Sequence, residues 1–430
     1  MKKSLLFLVF LFLGGGLVAA VSEPIPIDNT QQLANMNKDG SYMLVADINL
    51  PEDWIPIDFN GDLDGRGRSI SGGKTYVFKK LENAQIKNLV IEGFDVYDFV
   101  GLLAAEAVDC QFIEITIKNS SIRNSEKLLA VGGLAAVMHN CLVERVIIEA
   151  DIQAAAEFVG GIAGIANSTR FYSSGVENGS LIGSHVVGGF VGKLAGTGLV
   201  LACNSNADVI GMLAGGFVGR VAGESLTNNA NHKIEIMEST ATGKVTAETA
   251  GGFAGEASFV SISECGVYGE VIGEKAGGFV AGLYDKSRVI YSYAKSNVHG
   301  GQVAGGFVGE IAKGACVEFG FSGGIVMGDA IVGGFVGVLT DDGEPNTITS
   351  SLSFAPWVIG LMEGKVHRFA GYAAHRGVNG CYALLSSMVV RGDELGHVFS
   401  NAYGADGGDM SAGQVEEIAD RLGWRRDRLY

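Results

Sequence analysis

Four side chains near the start of the chain hold the densest set of groups able to do chemistry. Asp62, Asp64, Arg66 and Arg68 lie within seven residues, in Asn60-Gly-Asp62-Leu-Asp64-Gly65-Arg-Gly-Arg68. Carboxylates beside guanidinium groups are what an enzyme acting on polysaccharide uses as acid, base and charge stabiliser. The same stretch mimics the first half of a calcium loop. Its ninth position is Arg68, however, and its twelfth is Ser71 where a bidentate Glu is required. The structural alternative is a turn that starts a longer array. Elsewhere no His is followed by Glu, and no Gly-x-Ser-x-Gly elbow or Walker loop occurs. Two polar loops are candidate ligand contacts. One is Ser225–Lys233, with Asn228, Asn229, Asn231 and His232; the other is Thr340–Thr347, with Asp341, Asp342 and Glu344. Loops on a rigid scaffold often carry function. No catalytic, cofactor-binding or metal-ligating set emerges, and no cofactor is expected.

The elements that would position these loops are written in glycine. The chain has 65 Gly but only 6 Pro among 430 residues. That excludes collagen and, because Gly costs about 1 kcal/mol in a helix, a mostly helical fold. Six-residue spellings return: VGGFVG at Val187 and Val332, AGGFVG at Ala214 and Ala304, AGGFAG at Ala250 and AGGFVA at Ala276. With the second Gly of each pair as marker, the series is Gly101, Gly133, Gly161, Gly189, Gly216, Gly252, Gly278, Gly306, Gly334 and Gly371, most often 28 residues apart. This is a solenoid period. Three short strands and three turns fit it, so an all-β, single-stranded parallel β-helix of roughly ten coils is expected, with right-handed winding favoured.

The column after the marker reads Leu102, Leu134, Ile162, Phe190, Phe217, Phe253, Phe279, Phe307, Phe335 and Tyr372, which makes it a core column. The next column is Leu103, Ala135, Ala163, Val191, Val218, Ala254, Val280, Val308, Val336 and Ala373. Strand alternation would turn it outward as a flat apolar contact stripe. A sharp bend at the glycines would instead turn both columns inward. Ser174, Cys203, Ser239, Cys265 and Ser292 form a third column of small side chains at a tight corner.

Lys2 and Lys3, the apolar run Leu5–Leu13 and Val18-Ala-Ala20 read as a secretion signal cleaved after Ala20. No later stretch is apolar enough for a membrane span. A net charge of −16 argues against nucleic acid and anionic membranes. Export permits disulfides among the six Cys, whose spacing matches no zinc pattern.

The repeats resemble the GLUG motif of extracellular bacterial proteins, found also in the N-terminal regions of some IgA-specific metallopeptidases. The lead-in is similar too, with a helix at Thr30–Met36, YMLVADINL, WIPIDFNGDLDGRGRSISG and IKNLVIEG, as is the closing MSAGQVEEIADRLGW. The peptidase activity does not carry over, because its His-Glu-x-x-His motif is missing. The resemblance implies residues 1–20 as signal, 21–95 as capping helix and lead-in coils, 96–385 as the β-helix, and 386–430 as a C-terminal cap. In that cap Ser411 and Gln414 form a capping-box variant, and Val415, Ile418, Ala419 and Leu422 share the face that covers the last coil. The function expected is a secreted or cell-surface structural or adhesive module that binds a glycan, a protein or its own copy. The alternative is a β-helix polysaccharide lyase or glycoside hydrolase, which a carboxylate cluster in a groove would favour.

Overall fold

The computed structural model describes residues 23–223, 234–373, 377–392, 394–396 and 400–422. The leader and the loop with Asn228, Asn229, Asn231 and His232 lie outside the described residues. The chain winds as a parallel β-solenoid. Among the described residues one ladder has twelve strands in strict sequence order, from Ile57–Phe59 to Ala370–Ala373, with every neighbour parallel. Twelve strands make eleven steps, so the ladder is about 53 Å long at the usual strand spacing. A larger set, parallel except for the pair Met388–Arg391 and Glu394–Leu395, completes each coil.

The register is fixed where the Gly-Gly-Phe spelling falls. Val191, Val218, Ala254, Val280, Val308, Val336 and Ala370 are successive partners. Beside them Phe190, Phe217, Phe253, Phe279, Phe307, Phe335 and Phe369 stack with ring centroids 4.6–4.9 Å apart and planes within 19°. Each Phe amide from Phe190 to Phe335 also donates to the carbonyl of the next Phe in the column, at 2.7–2.9 Å.

The close approach of coils explains the glycines. A Cβ on Gly306 would lie 2.1 Å from the next coil's Gly334 carbonyl oxygen, and one on Gly305 would lie 1.8 Å from the Val308 carbonyl oxygen of its own turn and 2.6 Å from the next coil's Gly337 amide. No real Cβ tolerates such contacts. The third glycine faces the opposite way. A Cβ on Gly192 would meet the carbonyl of Gly164 at 2.6 Å and the backbone of Val159 at 2.8 Å.

The outward stripe does not exist. Ala135, Ala163, Val191, Val218, Ala254, Val280, Val308 and Val336 are as buried as the Phe column. The chain is not extended here: the amides of Phe190 and Val191 both donate to the Phe217 carbonyl. That turn breaks the alternation, so consecutive side chains both enter the core.

The two outermost markers also move. At the last rung Phe369, not Tyr372, joins the stack, and Tyr372 is 41% exposed and paired with Val338. At the first, Leu103 rather than Leu102 is the counterpart of Leu134. In both coils a larger residue, Arg368 or Leu102, stands where the second glycine would be. The Ser/Cys column is confirmed as a corner, and each member follows a residue with positive φ, from 46° at Ser173 to 57° at Glu264. Its hydroxyls serve the backbone: Ser239 accepts from Cys203 N at 3.2 Å and donates to Met237 O at 2.8 Å.

At the N-terminal end helix α1 (Thr30–Ala34), capped by Asn29, sets Leu33 into the core. At the other end the cover comes from residues 401–408. The Ala405 carbonyl accepts the amides of Phe369 and Ala370, and Ala402 accepts that of Cys381. These contacts close an edge that would otherwise invite strand pairing. Arg368, only 1% exposed, is held there by Asp409 at 2.8 Å. Helix α2 (Val415–Leu422) was expected over the last coil but lies on the flank. Ile418 packs with Leu352 and Met410, beside half-buried Phe319, Phe321 and Phe354, in a cluster apart from the main core. The side chains of Val415, Ala419 and Leu422 lie outside the described residues. Gln414 does accept from the Ser411 amide and hydroxyl, at 3.1 and 2.8 Å.

Phe279 sits mid-stack with no exposed surface. Phe279→Ala is expected to lose about 3–5 kcal/mol, read as a lower urea midpoint. An unchanged midpoint would mean that the column does not carry the core.

Candidate functional site

The motifs singled out in the sequence serve the fold first. Asp64 Oδ1 accepts from Arg66 N at 2.9 Å and Asn88 Nδ2 at 3.1 Å, so it closes a turn. Among the described residues no group of three His, Cys, Asp or Glu side chains is placed to hold a metal. Asp341 and Glu344 are exposed, while Asp342 folds its own loop. Its carboxylate accepts from Lys313 N, Thr340 Oγ1, Glu344 N and Asn346 Nδ2. Above all the Lys313 amide holds its carboxyl below the usual range. Asn346, buried beneath, accepts from the amides of Gly314 and Ala315 and donates to Thr340 O.

A second cluster fills the notch outside the Gly-Gly-Phe corner. Lys275 Nζ donates to Tyr284 Oη at 2.9 Å and Glu310 Oε2 at 3.0 Å, and Tyr284 Oη donates to the same oxygen at 2.8 Å. Burial pushes the Tyr284 hydroxyl up to about 12. Burial would raise Glu310 as well, but the hydrogen bonds from Lys275 and Tyr284 outweigh it and hold its carboxyl low. The three groups satisfy one another, and this closed set is a packing device.

The surface with open chemistry lies on the flank of the early coils. Two adjoining hollows of about 530 and 580 Å³ share Arg123. They are shaped by irregular register where strand Gln111–Gly132 runs beside Ile147–Gly160, with breaks between Ile117 and Ser120 and between Asn124 and Leu128. Such bulges re-aim side chains beside functional surfaces. Two outward columns cross the hollows, Asp95–Ser121–Asp151 and Tyr97–Arg123–Gln153–Ile182. Ser121 Oγ donates to Asp95 Oδ1 at 2.7 Å, and Arg123 Nη1 donates to Tyr97 Oη at 2.6 Å. Arg123 Nη1 also lies 3.5 Å from Asp95 Oδ1, and Lys74 Nζ lies 3.7 Å from Oδ2. Tyr97 is 51% exposed, with the guanidinium 5.5 Å from its ring centroid. Asp98, Glu149, Asn119, Asn124 and Asn178 complete the polar lining. Sequence reasoning missed this surface. Its one trace was the long interval between Gly101 and Gly133, which holds the bulged residues.

The fold defines the class: the chain is a repeat protein of the parallel β-solenoid type. No protein family matches it, and no curated protein does. Solved structures similar to it include a putative immunoglobulin A1 protease from Bacteroides ovatus, at 15% identity and a TM-score of 0.34, covering 94% of this chain and 88% of that one. An IgA1 protease matches at 15% identity and a TM-score of 0.30, covering 83% of this chain and 21% of that one. The chain thus spans about a fifth of the second protein. At these identities and TM-scores no activity comes with the likeness. Among the described residues no helix is long and apolar enough to cross a membrane.

The Lys275–Tyr284–Glu310 set gives a signed pH dependence. A carboxyl held low in the folded state stabilises above its unfolded value of about 4.3, and that stability is lost as pH falls through the folded value. Glu310→Gln should therefore cost about 1–2 kcal/mol at pH 6, with the gap to the native protein narrower at pH 3. Urea midpoints at both pH values measure it. A gap that stays constant would remove the ionised Glu310 from the account.

Proposed function

We propose that the protein is a secreted or cell-surface solenoid that binds a neutral glycan on the flank formed by residues 93–98, 119–125, 149–155 and 178–184, without cleaving it. Export is supported by the basic start, apolar run and small residues of the leader. The observation that carries the binding is the composition of the twin hollow. It combines an exposed Tyr ring, an Arg and a dense array of carboxylate and amide groups, all standing on a rigid ladder. Carboxylates and amides accept from sugar hydroxyls, and an aromatic ring packs on the apolar face of a pyranose.

Charge selects among glycans. Asp95, Asp98, Glu149 and Asp151 line the hollows, and Arg123 already lies against Asp95 and Tyr97. A uronate polymer would meet like charge both here and across a chain of net charge −16. A lyase must neutralise the uronate carboxylate before it removes the neighbouring proton, and no free cation is offered in this lining. These clustered carboxylates in a hollow are the feature that favours the glycoside hydrolase alternative. Asp95 and Asp151 are two rungs apart, about 10 Å between backbones at the usual spacing, near the span of an inverting pair. Both oxygens of Asp95, however, face partners of its own chain.

Affinity electrophoresis of the mature chain against mannan, xylan and β-glucan, with alginate and polygalacturonate as polyuronate controls, tests the proposal. Retardation by at least one neutral polymer is expected, with no release of reducing ends. Tyr97→Ala and Arg123→Ala should each weaken it about tenfold or more, as removing a stacked ring or a charged hydrogen bond does. No neutral polymer retained, or retention indifferent to both substitutions, would overturn it.

A further inference from the structure

Coil stacking decides which of the six cysteines can meet. Cys203 and Cys265 share a corner column, but Ser239 occupies the coil between them. Cys381 stands in the coil after Ser351, and Cys316 has Arg288 and Thr347 as its neighbours in register. Two steps separate any such pair by at least about 9 Å, beyond the roughly 7 Å that a disulfide spans between Cα atoms.

Cys110 and Cys141 differ. They directly precede Gln111 and Leu142, which are partners in register, and Leu142 N donates to Cys110 O at 2.8 Å. Each follows a residue in the same left-handed conformation, Asp109 at φ 54° and Asn140 at φ 51°, so the two side chains leave the backbone alike. One step of about 4.8 Å lies inside the range of bridged Cα pairs. Cys141 Sγ lies 3.2 Å from His139 O and 3.5 Å from Ala107 O, a carbonyl of the preceding coil, while Cys110 Sγ lies 3.1 Å from Val108 O. Both thiols are free and buried, each at 1% exposure.

We propose that Cys110 and Cys141 form a structural disulfide in the exported protein and that the other four cysteines stay reduced. The oxidant is a disulfide of the glutathione or oxidoreductase class. One protein thiolate attacks it, expelling a thiol and leaving a mixed disulfide. The second protein thiolate then displaces the remaining thiol, so two protein thiols are oxidised and one oxidant disulfide is reduced to two thiols. Because the pair is buried in the finished fold, the bond closes as these coils dock. Its place gives it a role. It ties strand Gln111–Gly132 to the coil of Ile147–Gly160, the two segments whose irregular register shapes the hollows.

The full chain, folded in a glutathione redox buffer, is denatured and alkylated before and after reduction, then weighed and mapped by mass spectrometry. Four of the six cysteines should alkylate before reduction and all six after, with one cross-linked peptide pair holding Cys110 and Cys141. In Cys141→Ala every remaining thiol should alkylate without reduction. Six modified thiols in the unreduced native chain, or a cross-link through any other cysteine, would overturn the proposal.

Discussion

Everything in this structure depends on how closely one coil lies on the next at the Gly-Gly-Phe corner. A Cβ on the second glycine would come within 2.1–2.4 Å of the next coil's carbonyl at Gly133, Gly161, Gly189, Gly216, Gly252, Gly278 and Gly306. Only hydrogen fits there. The same approach brings the phenylalanines to stacking distance and lines up their amides with the carbonyls above. Aromatic stacking, backbone hydrogen bonds and register are thus three results of one steric condition.

A scaffold fixed in this way is free to vary outside. The core faces are the same few residue types in each coil, whereas the outward columns change from Asp95–Ser121–Asp151 on one flank to the Phe321–Leu352–Tyr382 column beneath helix α2. Outward residues stand one strand spacing apart on a stiff ladder, an arrangement suited to an extended partner with a repeat of its own. The twin hollow arises where the ladder is locally irregular, and regularity and variation therefore play different parts in the proposed binding.

Much of the fold was legible because the repeat carries its register in a few residues. The run from Gly133 to Gly334 and the six phenylalanines Phe190 to Phe335 fall where the spacing puts them. The outermost rungs were misplaced because Leu102 and Arg368 stand at the second-glycine position, which leaves no pair to align on. The second column was legible as apolar but not as inward, since alternation applies to extended strand and the corner is not extended. The hollow was least legible. Its residues are ordinary outward side chains, and the bulges that gather them depend on how two coils of unequal length pair. Asp342 stood out as a polar loop residue, yet its loop uses the carboxylate for its own backbone.

Replacement of Gly306 by Ala tests the steric condition most directly, with Gly413→Ala, whose added Cβ meets nothing within 4 Å, as the control. Urea unfolding should show Gly306→Ala losing several kcal/mol, as overpacking at a closely packed contact does, or losing its cooperative transition, while Gly413→Ala stays within about 0.5 kcal/mol of the native chain. Equal midpoints for the two variants would show that the coils do not approach as described and that the recurrent glycines are there for another reason.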